Sequence, residues 1–390
     1  MLSRNVARTG VVEVVMGGYR LLHQLVLCLL LAMPACVSAM TVAFINPGKS
    51  DEIFWLTASH SMSAAAHSLG IRLEVLYAQR DHLQVVQLAR QLAARTPLQR
   101  PEYVILSNDY GVAAEAIRIL DGAGIKTFLA FSGIRDPQER QRIGLPRTKY
   151  PGWLGSLEPL TAESGYLTAR ALIARGNAEH WQDPEGRLHL LVIAGDRSTT
   201  TSLKRNEGMR RAVVEAGNVV IDQEIYGEWA RAKAEEQSQW LYQRYPQARL
   251  IWSGNDLMAF GAMNSWRLRG GKPGVDAHFS AINTSDEALT ALQSGSISAL
   301  AGGHFIAGAF ALVMLYDYHN GKDFSQEGLE QERSMSILFS RDDARRFKQL
   351  FGDLDFDRVD FRKFSRVLHP ASTDYTFNFR ALLSAGKERK

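Results

Sequence analysis

From residue 41 onward, short apolar segments rich in β-branched and aromatic residues alternate with segments of helical spacing. This alternation is typical of a parallel α/β sheet, in which a helix follows each strand and leads to the next one. The predicted strands are residues 41–45, 71–76, 103–106, 188–194, 250–253 and 278–282. The predicted helices include residues 111–120, 161–175, 203–216, 229–245, 256–268 and 306–318. The chain is therefore predicted to be an α/β protein.

The alternation stops once, at residues 132–155, which are rich in glycine, proline and charge, and then restarts. Such a break predicts a boundary between domains, and 390 residues also exceed one ordinary core. We predict two doubly wound parallel-sheet lobes joined by a three-segment hinge. Lobe one is predicted to comprise residues 40–155 and about 302–334, and lobe two residues 156–301. Residues 335–390 are predicted to be a hinge return strand and a C-terminal tail, whose phenylalanines predict packing on a lobe.

The N-terminal region predicts export. Arg20 precedes an apolar run over residues 21–33, which ends in Pro34 and the small residues Val37-Ser38-Ala39. This is the pattern of a signal peptide covering residues 1–39 and cleaved near Ala39, which predicts a periplasmic protein. The run is shorter than the roughly 20 apolar residues that a membrane span needs. Translation could begin at Met1 or at Met16, and both starts keep the apolar run.

Composition excludes several kinds of chemistry. Cys28 and Cys36 both lie inside the predicted signal peptide, so the exported chain has no cysteine for a disulfide or for thiol catalysis. A lipid anchor on Cys36 is an alternative that the preceding Met33-Pro34-Ala35 disfavours. The net charge falls from +4 to +2 when the signal residues leave, which gives no indication of nucleic-acid binding. No histidine pair has the spacing of a zinc site, so no metal or cofactor is predicted.

Polar residues follow the predicted strands directly. In open α/β sheets the ligand lies beyond the carboxyl ends of the strands, so these turns are candidate ligand contacts. They contain Asn46, Asn108, Asp109, Asn255 and Asn283. Amides and carboxylates offer the paired donors and acceptors that polyhydroxylated ligands need. The alternative is that such residues only cap the following helices, and we predict capping alone for Asp256 and Asp286.

Three aromatic residues accompany these turns. Phe54, Trp55 and Trp229 lie in loops or at helix starts on the side of the sheet where the polar turns are predicted to meet. Aromatic faces stack on the C–H faces of sugars, whereas a helix cap needs no such neighbour. The combination favours a sugar-like ligand over simple capping.

Four motifs resemble those of a known family. They are Asn46-Pro47 with Phe54-Trp55, Ser107-Asn108-Asp109, Lys204-Arg205-Asn206-Glu207-Gly208-Met209 and Asn255-Asp256-Leu257-Met258-Ala259-Phe260-Gly261. In this order the chain resembles the type I periplasmic binding proteins of the ribose- and galactose-binding group, and more distantly the autoinducer-binding receptors. The resemblance runs from about residue 41 to about residue 339.

The resemblance implies roles for single residues. Arg205 is expected to bind the ligand through its fork of donors, with Asn255 holding a hydroxyl from lobe two. Asn46 and Asp109 are expected to do so from lobe one. Phe54 or Trp55 is expected to stack on one face of the ligand and Trp229 on the other. The family usually has aspartate at the position of Asn283, and His304 is a candidate ligand contact whose alternative role is to begin a helix.

The function implied by the resemblance is capture of a small polar ligand by hinge closure. The predicted protein is a monomer. It is not predicted to be an enzyme, because Asp109 with His304 is the only candidate acid–base pair. It would deliver the ligand to the permease of an ABC importer. The alternative is a ligand-binding co-receptor for a membrane sensor kinase or a cyclic-nucleotide-signalling receptor.

Overall fold

The computed structural model describes residues 39–385, within which two six-stranded sheets form the centres of the lobes. In chain order the strands are β1 (Thr41–Asn46), β2 (Arg72–Tyr77), β3 (Tyr103–Leu106), β4 (Lys126–Ala130), β5 (Trp153–Pro159), β6 (Leu188–Ala194), β7 (Val219–Tyr226), β8 (Leu250–Ser253), β9 (His278–Ile282), β10 (Ala299–Gly302), β11 (Glu330–Arg333) and β12 (Ile337–Leu338). Lobe one has the order β11-β5-β4-β3-β1-β2, with every pairing parallel. Lobe two has the order β12-β10-β9-β8-β6-β7, in which β12 pairs antiparallel. The prediction of two parallel-sheet lobes is confirmed.

Helices connect the strands and cover both faces of the sheets. In chain order they are α1 (Ile53–Leu69), α2 (His82–Ala94), α3 (Ala113–Gly122), α4 (Pro137–Ile143), α5 (Thr161–Ala178), α6 (Thr200–Ala216), α7 (Arg231–Arg244), α8 (Asp256–Leu268), α9 (Asp286–Ser294), α10 (Ala307–His319), α11 (Arg341–Phe351) and α12 (Phe379–Ala385). Short 3-10 turns occupy Asp109–Gly111, His304–Ile306, Ser325–Glu327 and Phe361–Phe364. No helix among the described residues is long and apolar enough to span a membrane.

The side chains of β1 alternate between two cores because the strand is buried on both faces. Val42 and Phe44 pack into the cluster that includes α1 and α10. Ala43 and Ile45 pack into the cluster that includes α2 and α3. The strand therefore reads as a continuous apolar run in the sequence, as expected for a central parallel strand.

The hinge has three crossings, as predicted. The chain leaves β5 at Leu160 and enters α5, which packs on α6 and β9 in lobe two. It returns after β10 at Gly303 into α10, which packs on α1 in lobe one, and crosses again at Ser334 between β11 and β12. The predicted end of lobe one at residue 155 is wrong, because β5 continues to Pro159 within the lobe-one sheet.

Several strands were not predicted from the sequence, among them β4, β5 and β7. Strands β4 and β5 flank the segment that was judged aperiodic, and β5 contains a glycine and ends in a proline, both unusual in strands. Strand β7 contains Asp222, Gln223 and Glu224, because it is an edge strand that is only partly buried. The helix predicted for residues 229–245 begins at Arg231, which leaves Trp229 in the preceding turn.

His189 in β6 lies between two carboxylates. Its Nδ1 is 2.9 Å from Asp222 and its Nε2 is 3.1 Å from Asp183. Burial lowers the pKa of His189, but the hydrogen bonds to Asp222 and Asp183 outweigh burial and raise the pKa above its usual value.

We expect protonated His189 to stabilise the protein most strongly in acid. A raised folded-state pKa contributes stability that is complete below about pH 6.5 and is lost as the pH rises through the folded-state pKa. The melting temperature of His189→Gln should therefore fall further below that of the parent protein at about pH 5 than at about pH 8. Thermal unfolding at the two pH values measures this, and an equal deficit at both would contradict it.

Candidate ligand-binding cleft

A cleft lies between the two lobes at the carboxyl ends of both sheets. The empty space in it, including the part open to solvent, is about 610 Å³. Its lining residues are Glu52, Phe54, Trp55, Arg80, Asp109, Phe131, Pro159, Thr161, Thr199, Thr201, Arg205, Trp229, Asn255, Asn283 and His304. Eight of the ten predicted site residues are among them.

Arg205 is the most deeply buried cation of the cleft, with 4% of its surface exposed. Its Nη1 donates to the carbonyl of Gly254 at 2.7 Å, and its Nη2 contacts Nε2 of His304 at 2.8 Å. Burial lowers the pKa of Arg205 to about 10, against the opposing charge of Asp256, so the guanidinium stays charged at neutral pH. Its Nε has no hydrogen-bond partner among the described residues. Arg205 therefore keeps one donor unsatisfied.

Close packing of α5 against α6 holds Arg205 in place. A Cβ at Gly165 would lie 2.0 Å from the Arg205 carbonyl oxygen, and one at Gly208 would lie 1.8 Å from the carbonyl oxygen of Ala162. Only glycine permits this approach of the two backbones. The glycine of the Arg-x-Glu-Gly motif thus has a structural reason that the sequence alone did not supply.

His304 lies at the second hinge crossing and contacts both lobes. Its ring stacks on Phe54 of lobe one, with centroids 4.9 Å apart and an interplanar angle of 24°. Burial, and then the charge of Arg205, lower the pKa of His304 well below its usual value, so the ring is neutral. Because Nε2 accepts from Arg205, we infer that Nδ1 carries the proton, and Nδ1 has no partner among the described residues. His304 lines the cleft and also begins the His304–Ile306 turn.

Trp229 is held on the lobe-two side of the cleft. Its backbone is left-handed, with φ of 61°, and its Nε1 donates to Asp196 Oδ2 at 2.6 Å. A Cβ at Gly195 would lie 2.1 Å from the Trp229 ring, so glycine leaves the room that the indole occupies. The guanidinium of Arg205 lies 5.7 Å from the ring centroid. The Trp229 ring is therefore held by Gly195 and Asp196, and it lies beside the guanidinium of Arg205.

Phe54 and Trp55 line the cleft from lobe one, at the start of α1. The two rings meet edge to face at 5.0 Å, and Trp55 packs against Phe131 at 5.1 Å. A Cβ at Gly48 would lie 2.0 Å from Trp55, so the turn after β1 passes directly over the indole. Phe131 was not predicted, although it directly follows β4, a strand that was itself missed.

Asn255 and Asn283 line the lobe-two side, and both have structural bonds. Asn255 is the N-cap of α8, since its Oδ1 accepts from the Met258 amide at 2.9 Å. Asn283 has a φ of 126°, and its Nδ2 donates to Asp256 Oδ1 at 2.9 Å. The N-caps predicted at Asp256 and Asp286 are wrong by one position, because Asn255 and Ser285 supply the capping oxygens.

Asn46 and Asn108 are not among the lining residues. The amide of Asn46 donates to the Trp55 carbonyl at 3.2 Å and to Ser59 Oγ at 2.9 Å, which ties β1 to α1. Asn108 donates to Glu139 at 2.9 Å and accepts from the Ala113 amide at 3.0 Å. Both side chains point into lobe one, so we correct their assignment from ligand contact to positioning of the loops around the cleft.

Arg80 and Glu52 are lining residues that sequence reasoning missed. Arg80 Nε donates to Glu52 at 2.8 Å. Gln79 and Arg80 have left-handed φ values of 55° and 64°, in the turn that follows β2. Arg80 follows β2 closely, so the expectation that residues after a strand are candidate ligand contacts also applies to Arg80.

Burial raises the pKa of the neighbouring Asp109 to about 6, although the charge of Arg80 opposes the rise.

Within residues 39–385, no group of three or more His, Cys, Asp or Glu side chains is placed to hold a metal ion. The cleft offers cationic donors, carboxylate acceptors and aromatic faces. This set of groups can bind a small polar molecule from two opposite sides.

Comparison with known proteins gives a consistent result. The model of the periplasmic binding protein domain family matches residues 42–323. A periplasmic sugar-binding protein from Pseudomonas fluorescens is 37% identical, with a TM-score of 0.78 over 88% of this chain and 99% of that chain. No significant match was found among curated protein sequences.

Two further solved structures share the fold at lower identity. An ABC transporter periplasmic solute binding protein from Actinobacillus succinogenes with bound D-allose is 17% identical, with a TM-score of 0.66 over 78% of this chain and 99% of that chain. The binding protein of the arabinose ABC transporter from Shewanella, bound to L-arabinofuranose, is 18% identical, with a TM-score of 0.63 over 86% of this chain and 100% of that chain.

Proposed function

This chain belongs to the periplasmic binding protein domain family, and from that premise we propose that it captures a sugar by closure of its lobes and delivers it, as a monomer, to the permease of an ABC importer. The observation that carries the proposal is the pair Arg205 and His304. Both are buried in the interlobe cleft, and each has a nitrogen without a partner among the described residues. Unsatisfied buried donors are costly unless a ligand accepts their hydrogen bonds.

The other groups of the cleft fit the same ligand class. Trp229 and Phe54 present aromatic faces from opposite lobes, which suits the C–H faces of a sugar ring. Asp109 supplies a carboxylate acceptor for a hydroxyl, and the Arg80–Glu52 pair adds a charged contact from lobe one. Because the ligand contacts both lobes only in the closed form, its binding shifts the equilibrium from the open form to the closed form.

A thermal-shift screen of residues 40–390 against monosaccharides, polyols, amino acids and furanoses tests ligand class. A ligand present at about 100 times its dissociation constant adds about 2.7 kcal/mol to the free energy of unfolding. A shift with sugars alone supports the proposal, and a shift with amino acids alone contradicts it. Uptake of the labelled hit by cells with and without the gene then separates import from a purely sensory role.

The raised pKa of Asp109 predicts that ligand affinity depends on pH. Its pKa of about 6 results first from burial and is opposed by Arg80, while the charge of Asp196 on the other lobe adds to the rise. If the carboxylate accepts a ligand hydroxyl, affinity should fall as the pH decreases through about 6. Calorimetry between about pH 5 and pH 7 measures this, with Asp109→Asn as the variant whose profile should be flat. A parent profile as flat as that of the variant would remove Asp109 from the site.

A further inference from the structure

The C-terminal segment, residues 341–385, contacts both lobes. It begins on lobe two, where α11 packs on α9. Lys348 of α11 lies 2.8 Å from Asp286 and donates to Thr290 Oγ1 at 2.7 Å. The match to the family model ends at residue 323, before this segment begins.

After α11 the chain passes from lobe two to lobe one through residues 352–356. The Phe361–Phe364 turn packs on α1 and α10, both of lobe one. Phe377 stacks on Phe310 of α10, with centroids 4.4 Å apart and an interplanar angle of 10°. Residues 352–356 are therefore a fourth covalent connection between the lobes, in addition to the three hinge crossings.

Asp317 anchors this segment to lobe one. It is fully buried near the end of α10, where a negative charge is unfavourable for the helix dipole. It accepts hydrogen bonds from the Arg366 amide at 2.7 Å and from the Tyr375 hydroxyl at 2.9 Å, and another from Ser365. A buried carboxylate with several donors is a strong attachment point, because removal of either side leaves buried groups unpaired.

The segment then returns to the hinge itself. Phe379 of α12 packs on Phe305 and Phe339, with ring centroids 5.8 and 5.7 Å away. A Cβ at Gly303 would lie 2.5 Å from Phe379, so the ring lies directly on the second crossing. Gly303 and Phe305 flank His304, whose ring contacts Arg205 in the cleft. The C-terminal segment thus contacts the two chain neighbours of His304, the residue that links the cleft to the hinge.

We propose that residues 341–385 form an interlobe strap, a fourth connection that holds the lobes in the arrangement seen here and thereby sets the equilibrium between the open and closed forms. Hinge rotation moves the two anchors of the strap, on α9 and α10, relative to each other. The strap contacts occur in the same arrangement of the lobes as the Arg205–His304 contact, and they stabilise that arrangement. Loss of the strap should therefore shift the population toward open forms. Only the ligand measurement below rests on the proposed function.

The test cuts the strap in the intact protein. A protease site is inserted between Gly352 and Asp353, in the exposed fourth connection, and a control site is inserted after Gly270, in an exposed turn within lobe two. Spin labels on Leu83→Cys and Leu203→Cys report lobe separation without ligand. Both leucines are exposed in the first turns of helices at the cleft, and residues 40–390 contain no cysteine.

Cutting the strap should increase the separation of the labels, while the control cut leaves it unchanged. Ligand dissociation should become about tenfold faster only after the strap is cut. Equal label distances in the two cut proteins would overturn the proposal, whatever the ligand. If the strap cut unfolds the protein, Phe379→Ala is compared with Phe324→Ala, which removes an equally buried ring inside lobe one and outside the strap. The proposal requires opening only in Phe379→Ala.

Discussion

Arg205→Ala is expected to weaken ligand binding by about 100-fold, because hydrogen bonds to a charged group contribute about 1.5–3 kcal/mol each. The guanidinium is buried, is fixed by Gly254 and His304, and has a free Nε among the described residues. Calorimetry with the sugar found by screening measures the affinity. The fold should be retained, since removal of the side chain also removes a buried charge that is poorly solvated.

Arg210→Ala is the matched control for this variant. Arg210 lies on the same helix, and its half-exposed side chain pairs with Glu224 at the surface. Its affinity should equal that of the parent protein. A second readout is the titration of His304, whose pKa should rise in Arg205→Ala because the positive charge beside it is lost. Unchanged affinity in Arg205→Ala would exclude Arg205 from the ligand contacts.

Asp256→Ala is expected to lower the free energy of unfolding by about 3–5 kcal/mol, because each buried donor that loses its acceptor costs about 1–3 kcal/mol. The carboxylate is fully buried and accepts from Asn283 at 2.9 Å, from the Leu257 amide at 3.0 Å and from Ser285. These donors would be left without partners. Urea unfolding measures the loss.

Asp286→Ala is the control that separates burial from local sequence. Asp256 and Asp286 are both first residues of helices that follow strands in lobe two. Asp286 is exposed and pairs with Lys348, so its removal should cost about 0–1 kcal/mol. Similar losses in the two variants would show that the hydrogen bonds of Asp256 contribute little.

Several parts of the site followed from the sequence because they depend on local rules. Residues that follow a parallel strand are delivered to one edge of the sheet, and this places Asp109, Asn255 and Asn283 at the cleft. The motif around Arg205 also identified a lining residue, and its glycine, Gly208, is explained by close helix packing. Such features depend only on strand order and on close backbone contact, and both restrict the residue types that can occur at a position.

Other features depended on side-chain direction, which local sequence does not determine. Asn46 and Asn108 follow strands as Asp109 does, yet their amides turn inward to bond loops of lobe one. Arg80 points into the cleft through a left-handed turn and the carboxylate of Glu52. The choice between cleft and interior was made by the partners available in the folded protein.

The sequence by itself determined the alternation of strands and helices, the two lobes and the strand-end turns, because hydrophobic period and turn chemistry are local. Tertiary structure decided which of two similar aspartates is buried, Asp256 or Asp286, and brought Phe379 onto Gly303. It also made the tail a fourth connection between the lobes. These outcomes depend on contacts between residues far apart in the chain, and the free energy of such contacts depends on burial and geometry that exist only after the lobes have packed.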